Sequence, residues 1–493
     1  MSRLIEKLTE YGQSDFYPYH MPGHKRQPLE GFPEQLAALD ITEIEGFDNL
    51  HQPEGILLEA QRQVAEAYGV EESFFLVNGS TGGILSAVSA AVPFGGHLLI
   101  TRNCHKSVYH GAYLRQLRLS YIYAEINREF DICEAVTAAQ VEEMLDRDSS
   151  IQAVLIVSPT YEGRIADVEA IAEVVHKKGI PLIVDEAHGA HLGFAEGFAQ
   201  NSGRLGADLV INSVHKTLPA MTQTALLHCN GNLIDRDKIK RFLHIYQSSS
   251  PSYIMMASIE HAVQTAVESK ELFCSFQEQW QWMLEQLKDL QNMRVLGEAC
   301  MGKIHDIGKL VISTKGTNVP GKQLADMLRN RYHLEVEMAC ETYVLAMFTI
   351  GDRPEGYARL CRALLEIDKE VCGAGKTDAV EKTKVIEKTE VGKETEKMMS
   401  NDELKEGIPL FEAWDREREF VELEASQGRF AGEFINLYPP GTPIVVPGEC
   451  ISEAVIQKIK ECLQAGLEVQ GVYSAEESAE KVVSCITQEG DYE

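Results

Sequence analysis

The chain has eleven cysteines but no pair at CxxC spacing. That removes the usual signature of a zinc ribbon or a redox dithiol, and scattered thiols fit a reducing, cytoplasmic setting. Cys104 is read as structural. Positive charge is scarce: 46 Lys and Arg stand against 75 Asp and Glu, a formal net charge of −29. Such a surface repels nucleic acid and anionic membranes, so neither is expected as a partner. No run approaches the ~18 uninterrupted apolar residues of a membrane span. Residues 1–13 alternate charged and apolar side chains and lack a signal-peptide core. GxGxxG is absent. Gly375-Lys376-Thr377 imitates the end of a P-loop, but Glu370 stands where a glycine is needed.

What is present is a long chain with room for two or three domains: 493 residues, 44% hydrophobic and 25% charged. Residues 56–68 place apolar side chains on one helical face, and Gly69 can end that helix. Strands are expected at 73–77, 97–101, 153–157, 182–185 and 209–212, with helices at 82–92 and 167–178 between them. Strands alternating with helices predict an α/β fold with a mainly parallel sheet covered on both faces. Ligands then bind beyond the carboxyl ends of the strands. A smaller α+β region is expected at 294–372, with strands at 309–313 and 343–349 around a helix at 321–332. Residues 373–405 are rich in Lys, Glu and Thr, with EKT at 381 and again at 387, and read as a flexible linker. Residues 406–493 form a further α+β domain, with rigid turns in YPPGTP at 438–443 and PGE at 447–449.

Four strand ends carry residues with chemistry. The strand 209–212 runs into Ser213-Val-His-Lys-Thr217. A lysine just after a buried strand is desolvated, which frees its amine to attack an aldehyde. The strand 182–185 ends in Asp185, followed by Glu-Ala-His188. An acid there suits the pyridine nitrogen of pyridoxal 5′-phosphate (PLP), whose protonated ring absorbs the electrons of a broken bond to Cα. Asp185, His188 and His191 could instead bind a metal, but no fourth ligand is apparent and no metal site is expected. Asn78-Gly-Ser-Thr-Gly-Gly83 follows a strand and opens a helix, so the amides near Gly82 and the hydroxyls of Ser80 and Thr81 suit a phosphate. His105, in Arg102-Asn-Cys-His-Lys-Ser107, could stack on a flat ring.

The order and spacing of these elements resemble the fold-type I, aspartate-aminotransferase-like PLP enzymes. The wording is similar to the Orn/Lys/Arg decarboxylase family in HMPGHK (20–25), DNLHQPEGIL (48–57), FFLVNGSTGGI (74–84), RNCHKSV (102–108), SPTYEG (158–163), IVDEAHGAH (183–191), ADLVINSVHKTL (207–218), QSSSPSY (247–253), MFTIGD (347–352) and YPPGTPIVVPGE (438–449). The resemblance spans nearly all of the chain except the linker. It implies PLP-dependent decarboxylation of a basic amino acid, arginine slightly ahead of lysine or ornithine, to an amine of the polyamine pathway. It implies that Lys216 carries the cofactor as a Schiff base, that Asp185 pairs with its ring nitrogen and that His105 stacks on it. Ser80, Thr81, Gly82, Ser213 and His215 would bind the phosphate. Ser248 or Ser249, where the family usually has threonines, would reach the phosphate of a partner subunit in a homodimer. His188 and Lys216 are both candidates to return a proton to Cα. The larger family members carry an N-terminal receiver-like domain that this chain, starting almost at HMPGHK, lacks, so the shorter biosynthetic type is expected. By that reading residues 1–55 lie at the dimer interface and 56–293 bind the cofactor. Two rivals remain: an aminotransferase, with Arg353, Arg359 or Arg362 holding the α-carboxylate, and a regulatory pseudoenzyme.

Overall fold

The computed structural model describes residues 3–31, 33, 35–296, 304–371, 407–438, 442–475 and 480–487. The linker expected at 373–405 and the Pro-Pro-Gly turn at 439–441 lie outside the described residues.

Short apolar runs become strands, and those at the centre of the large sheet are buried on both faces. The strands are β1 (Glu72–Leu76), β2 (His97–Thr101), β3 (Arg118–Ile122), the hairpin β4 (Ile126–Asn127) and β5 (Ile132–Cys133), β6 (Ala153–Val157), β7 (Leu182–Asp185), β8 (Leu209–Asn212) and β9 (Ala225–Cys229). Seven of them form one sheet in the order β1-β9-β8-β7-β6-β2-β3. The pairs from β8 to β3 are parallel, and β9 is antiparallel to both of its neighbours. β1 therefore runs in the same direction as β8. Helices cover both faces, as a sheet with two apolar faces requires.

The helix expected at 82–92 starts earlier and spans Gly79–Ala91. Gly79 takes a left-handed φ of +69°, which turns the chain sharply out of β1, a conformation that costs glycine little. Gly83 allows the helix to lie close on the sheet: a Cβ there would sit 2.6 Å from Leu76 Cδ1 and 3.2 Å from Ile211 Cγ2. The helix expected at 167–178 spans Val168–Lys177, with Asp167 capping it by accepting from the Ala170 N–H.

The second sheet is antiparallel, β10 (Arg294–Val295), β11 (Lys309–Ser313), β12 (Met338–Ala339) and β13 (Tyr343–Met347), in the order β10-β11-β13-β12. β13 stops short of the expected residue 349 because the Thr349 N–H turns to the Asp352 carboxylate, 2.7 Å away. Its core is continuous with the large one: Leu310, Ile312 and Val344 belong to the same apolar cluster as Tyr253 and Trp280. The last region has two three-stranded sheets and the helix Glu453–Gln464 around Ile435, Ile459 and Val483. It is tied to the large sheet by a partly buried ion pair, Arg102 Nη2 to Glu449 Oε2 at 2.9 Å.

Candidate active site

Because β1, β2, β6, β7 and β8 point the same way, the segments that follow them gather along one edge of the sheet. Lys216 lies in the single helical turn Val214–Thr217 after β8. Its Nζ is 3.1 Å from His188 Nε2. Burial pushes its amine below the usual lysine range, and the charge of Asp185 works against that shift. Asp185 ends β7, is buried, and accepts from the Ala187 N–H at 3.2 Å. Burial raises its carboxyl, opposed by Lys216. Its neighbour Glu186 is occupied elsewhere, accepting from the Ser202 N–H at 2.8 Å, and burial lifts its carboxyl to about 7.

His105 caps the helix Lys106–Leu114, its Nδ1 accepting from the Ser107 N–H at 3.2 Å. Burial, then the charge of Lys216, pushes its imidazole down to about 4, so it is neutral at neutral pH. Cys104 beside it is fully buried, and burial pushes its thiol up to about 12, which makes it a poor nucleophile.

Ser80, Thr81 and Gly82 occupy the first turn of the helix Gly79–Ala91, which has no side-chain cap; the Gly82 N–H donates to the Asn78 carbonyl at 3.4 Å, and the amides of Ser80 and Thr81 have no intrahelical partner. Ser213 Oγ is fully buried without a hydrogen-bond partner among the described residues. His215 Nδ1 donates to the Thr224 carbonyl at 2.9 Å, leaving Nε2 for another partner. Ser248 and Ser249 lie on an exposed turn after the helix Arg236–Tyr246. The Ser248 N–H donates to Asn78 Oδ1 at 3.4 Å, and its carbonyl accepts from His51 Nε2 at 2.8 Å. QSSSPSY thus meets both the turn before the helix Gly79–Ala91 and the DNLHQPEG segment.

Three neighbours were not singled out from the sequence. Lys309, the first residue of β11, is fully buried, and its Nζ is 2.6 Å from His188 Nδ1. Tyr161 packs edge-on to the His188 ring at 4.8 Å. Glu337 accepts from the Tyr161 hydroxyl, and its charge bears on both Lys216 and Lys309. The available signals were a lysine opening an otherwise apolar strand and the YEG that follows β6. Of the residues weighed against a metal site and an aminotransferase carboxylate, His191 and Arg359 have other partners. His191 Nε2 pairs with Asp306 Oδ1 at 2.9 Å, and among the described residues no cluster of three His, Cys, Asp or Glu could hold a metal ion. Arg353, Arg359 and Arg362 are exposed, and Arg359 donates to the carbonyls of Tyr332 and His333.

Residues 2–295 match the Orn/Lys/Arg decarboxylase major domain, and residues 409–487 match the C-terminal domain of that family. The chain belongs to the Orn/Lys/Arg decarboxylase family. An arginine decarboxylase of Bacillus subtilis is 30% identical over 95% of both chains. The uncharacterized protein YaaO of the same species is 32% identical over 95% of both chains. The lysine decarboxylase LdcF of Francisella novicida superposes with a TM-score of 0.83 at 17% identity, covering 99% of this chain and 81% of that one, which shows a shared fold. A Sphingomonas wittichii serine palmitoyltransferase matches 66% of this chain and 81% of its own at a TM-score of 0.53 and 14% identity. Members of this family are PLP-dependent amino-acid decarboxylases, and the residues here fit that cofactor. Ser213 offers a buried hydroxyl with no other partner among the described residues, the uncapped helix offers the amides of Ser80 and Thr81 to a phosphate, and Lys216 and Asp185 lie close enough for each to act on the other's charge.

Proposed function

We propose that this chain decarboxylates a basic amino acid, with arginine ahead of lysine and ornithine, using PLP carried on Lys216, and that its product is an amine of the polyamine pathway. One observation carries the reading: β7 and β8 pair side by side, and the segments at their ends set Asp185 and Lys216 close enough for each to act on the other's charge. Relatives called arginine decarboxylase in Bacillus subtilis and Bacillus anthracis, 30% and 29% identical, support arginine over lysine. Glu337 supports a cationic substrate, since its charge reaches both lysines of the site.

When bound, PLP supplies an electron sink for the pair left when a bond to Cα breaks. The chain does the rest. Ser80, Thr81, Gly82, Ser213 and His215 would hold the phosphate, and the neutral His105 would present a flat face to the ring. Asp185 would keep a proton on the ring nitrogen. Lys216 would yield its place to the substrate amine on arrival and retake it on release. Packing around Tyr161 and His188 would help exclude water, and orientation of the Cα–carboxylate bond would select decarboxylation over other cleavages. The His188–Lys216 pair would return the proton to Cα.

We further read residues 1–55 as an interface segment, 56–293 as the cofactor domain, 294–372 as the small domain, 373–405 as a tether and 406–493 as the C-terminal domain of a cytoplasmic homodimer. Support for the shared site comes from Ser248 and Ser249, exposed beside DNLHQPEG, where the Tyr253 hydroxyl donates to the Asp48 carbonyl and His51 stacks on His244 at 4.5 Å. Mixing Lys216→Ala subunits with Ser248→Ala/Ser249→Ala subunits, each inactive alone, should then restore activity in the heterodimer.

The test of function is separate incubation of PLP-loaded protein with arginine, lysine and ornithine. One of the three should give CO2 and its amine in equal amounts. Keto acid without CO2 would instead make it an aminotransferase, and no turnover of any would make it a pseudoenzyme.

A further inference from the structure

His188 is gripped at both nitrogens. Lys216 Nζ lies 3.1 Å from Nε2 and Lys309 Nζ lies 2.6 Å from Nδ1. Burial first, then the charges of Lys309 and Lys216, hold this imidazole neutral, far below the usual histidine range. A neutral imidazole has one N–H and one acceptor nitrogen, whereas an ammonium can only donate. The two contacts therefore cannot both be ammonium to nitrogen. One lysine must donate and the other must offer a lone pair.

The surroundings decide which. Burial lowers the Lys309 amine, and the charge of Asp306, the largest opposing influence, favours its ammonium. Asp306 is itself held ionised against its burial, by His191 at 2.9 Å and by the Gly308 N–H at 3.0 Å. Lys309 is also fixed in place. Its carbonyl accepts from His305 Nε2 at 2.9 Å, and its stem packs on Gly163, where a Cβ would fall 2.7 Å from Lys309 Cβ. Lys216, by contrast, is the amine that the proposed chemistry uses as a nucleophile. The donor is Lys309.

We propose that Lys309 is a positioning residue that locks His188 as its Nε2–H tautomer and replaces the proton His188 gives up. The proposal rests on the decarboxylase reading above. Breaking the Cα–carboxylate bond leaves an electron pair at Cα and requires one proton there. The Nε2–H bond of His188 breaks to supply it, directly or through the Lys216 nitrogen. Lys309 then transfers a proton to Nδ1, keeping the electron pair on Nζ, so the imidazole ends neutral with its proton on the other nitrogen. A proton from water then returns to Nε2 while the Nδ1–H gives its proton back to Lys309, which restores both the ammonium and the Nε2–H tautomer before the next turnover. His188, Lys216, His305, Asp306, Glu337 and Glu162 are titratable groups that face Lys309, and its amine lies over the Tyr161 ring at 5.7 Å from the centroid. Burial brings its amine down to about 8, so the proton-supplying form is lost as pH rises through that value.

The test uses the full-length PLP-loaded protein with 15N-labelled histidine. The spectrum of wild type should show His188 as the Nε2–H tautomer, and Lys309→Met should abolish that preference. In the same variant kcat should fall by about a hundredfold, a usual yield for one proton-transfer group, and the alkaline limb of the pH–rate profile near 8 should vanish. Lys309→Arg should keep the tautomer, because it still donates to Nδ1, yet fail to restore kcat, because it does not release a proton. An Nδ1–H tautomer in wild type would overturn the proposal without any variant. So would an unchanged alkaline limb in Lys309→Met, or full rescue of kcat by arginine. Absence of CO2 from the wild type would overturn the decarboxylase reading and the proton return with it, while the tautomer would still be decided by the spectra.

Discussion

The seven-stranded and four-stranded sheets each lead a lysine to the same imidazole, but they deliver it differently. Lys216 arrives past the carboxyl end of a parallel strand, on a single turn of helix, and stays partly accessible. Lys309 opens an antiparallel strand and is fully enclosed. Each has its own carboxylate, Asp185 for Lys216 and Asp306 for Lys309. The difference separates two jobs that one lysine performs poorly. A nucleophile must reach a ligand and give up its proton, whereas a proton store must stay charged, fixed and away from the ligand.

The largest expected effect lies on the Lys216 side. Lys216→Ala should lower turnover at least about a thousandfold, roughly 4 kcal/mol of barrier, while the folded state persists. Turnover near wild type would erase the distinction between the two lysines. Asp185→Asn should retain bound PLP, because the phosphate contacts remain, but should slow turnover by about a hundredfold or more. A drop under about tenfold, roughly 1.4 kcal/mol, would mean that Asp185 is not the ring partner. The smallest effect sharpens the comparison at the phosphate. Ser213→Ala should weaken PLP binding by about 1.5–3 kcal/mol, the range for a hydrogen bond to a charged group, when the Kd is measured by titration. It should leave the melting temperature of the PLP-free protein unchanged or slightly higher, since its buried hydroxyl has no protein partner to lose among the described residues. A clear loss of stability without PLP would show that Ser213 serves the fold rather than the cofactor.

The contrast between the two lysines also marks how far the sequence could be read. β2, β6, β7, β8 and β11 have the bounds expected from their apolar runs, because buried strands admit few polar residues and so declare their own ends. Asp185 stands out for the same reason, as a polar residue that ends such a run, and Lys216 as a lysine in the turn that follows another. The start of the helix Gly79–Ala91 was placed three residues late, since Gly79 and the hydroxyls after it read as turn rather than helix. Lys309 read as the edge of a strand. What buries it is distant in sequence: His188, 121 residues earlier, and Gly163, whose missing side chain makes room for its stem. Glu337 was hidden in the same way, because its partner Tyr161 follows β6, 176 residues before it. Pairings of that kind are set by the docking of one sheet on another and leave no local pattern.

The assignment of roles to the two lysines is open to one direct measurement. PLP-loaded protein is reduced with borohydride, digested and mapped by mass spectrometry. The pyridoxyl group should appear on the peptide that contains Lys216, with Lys309 unmodified. A label on Lys309, or a cofactor that washes away with Lys216 unmodified, would contradict the account.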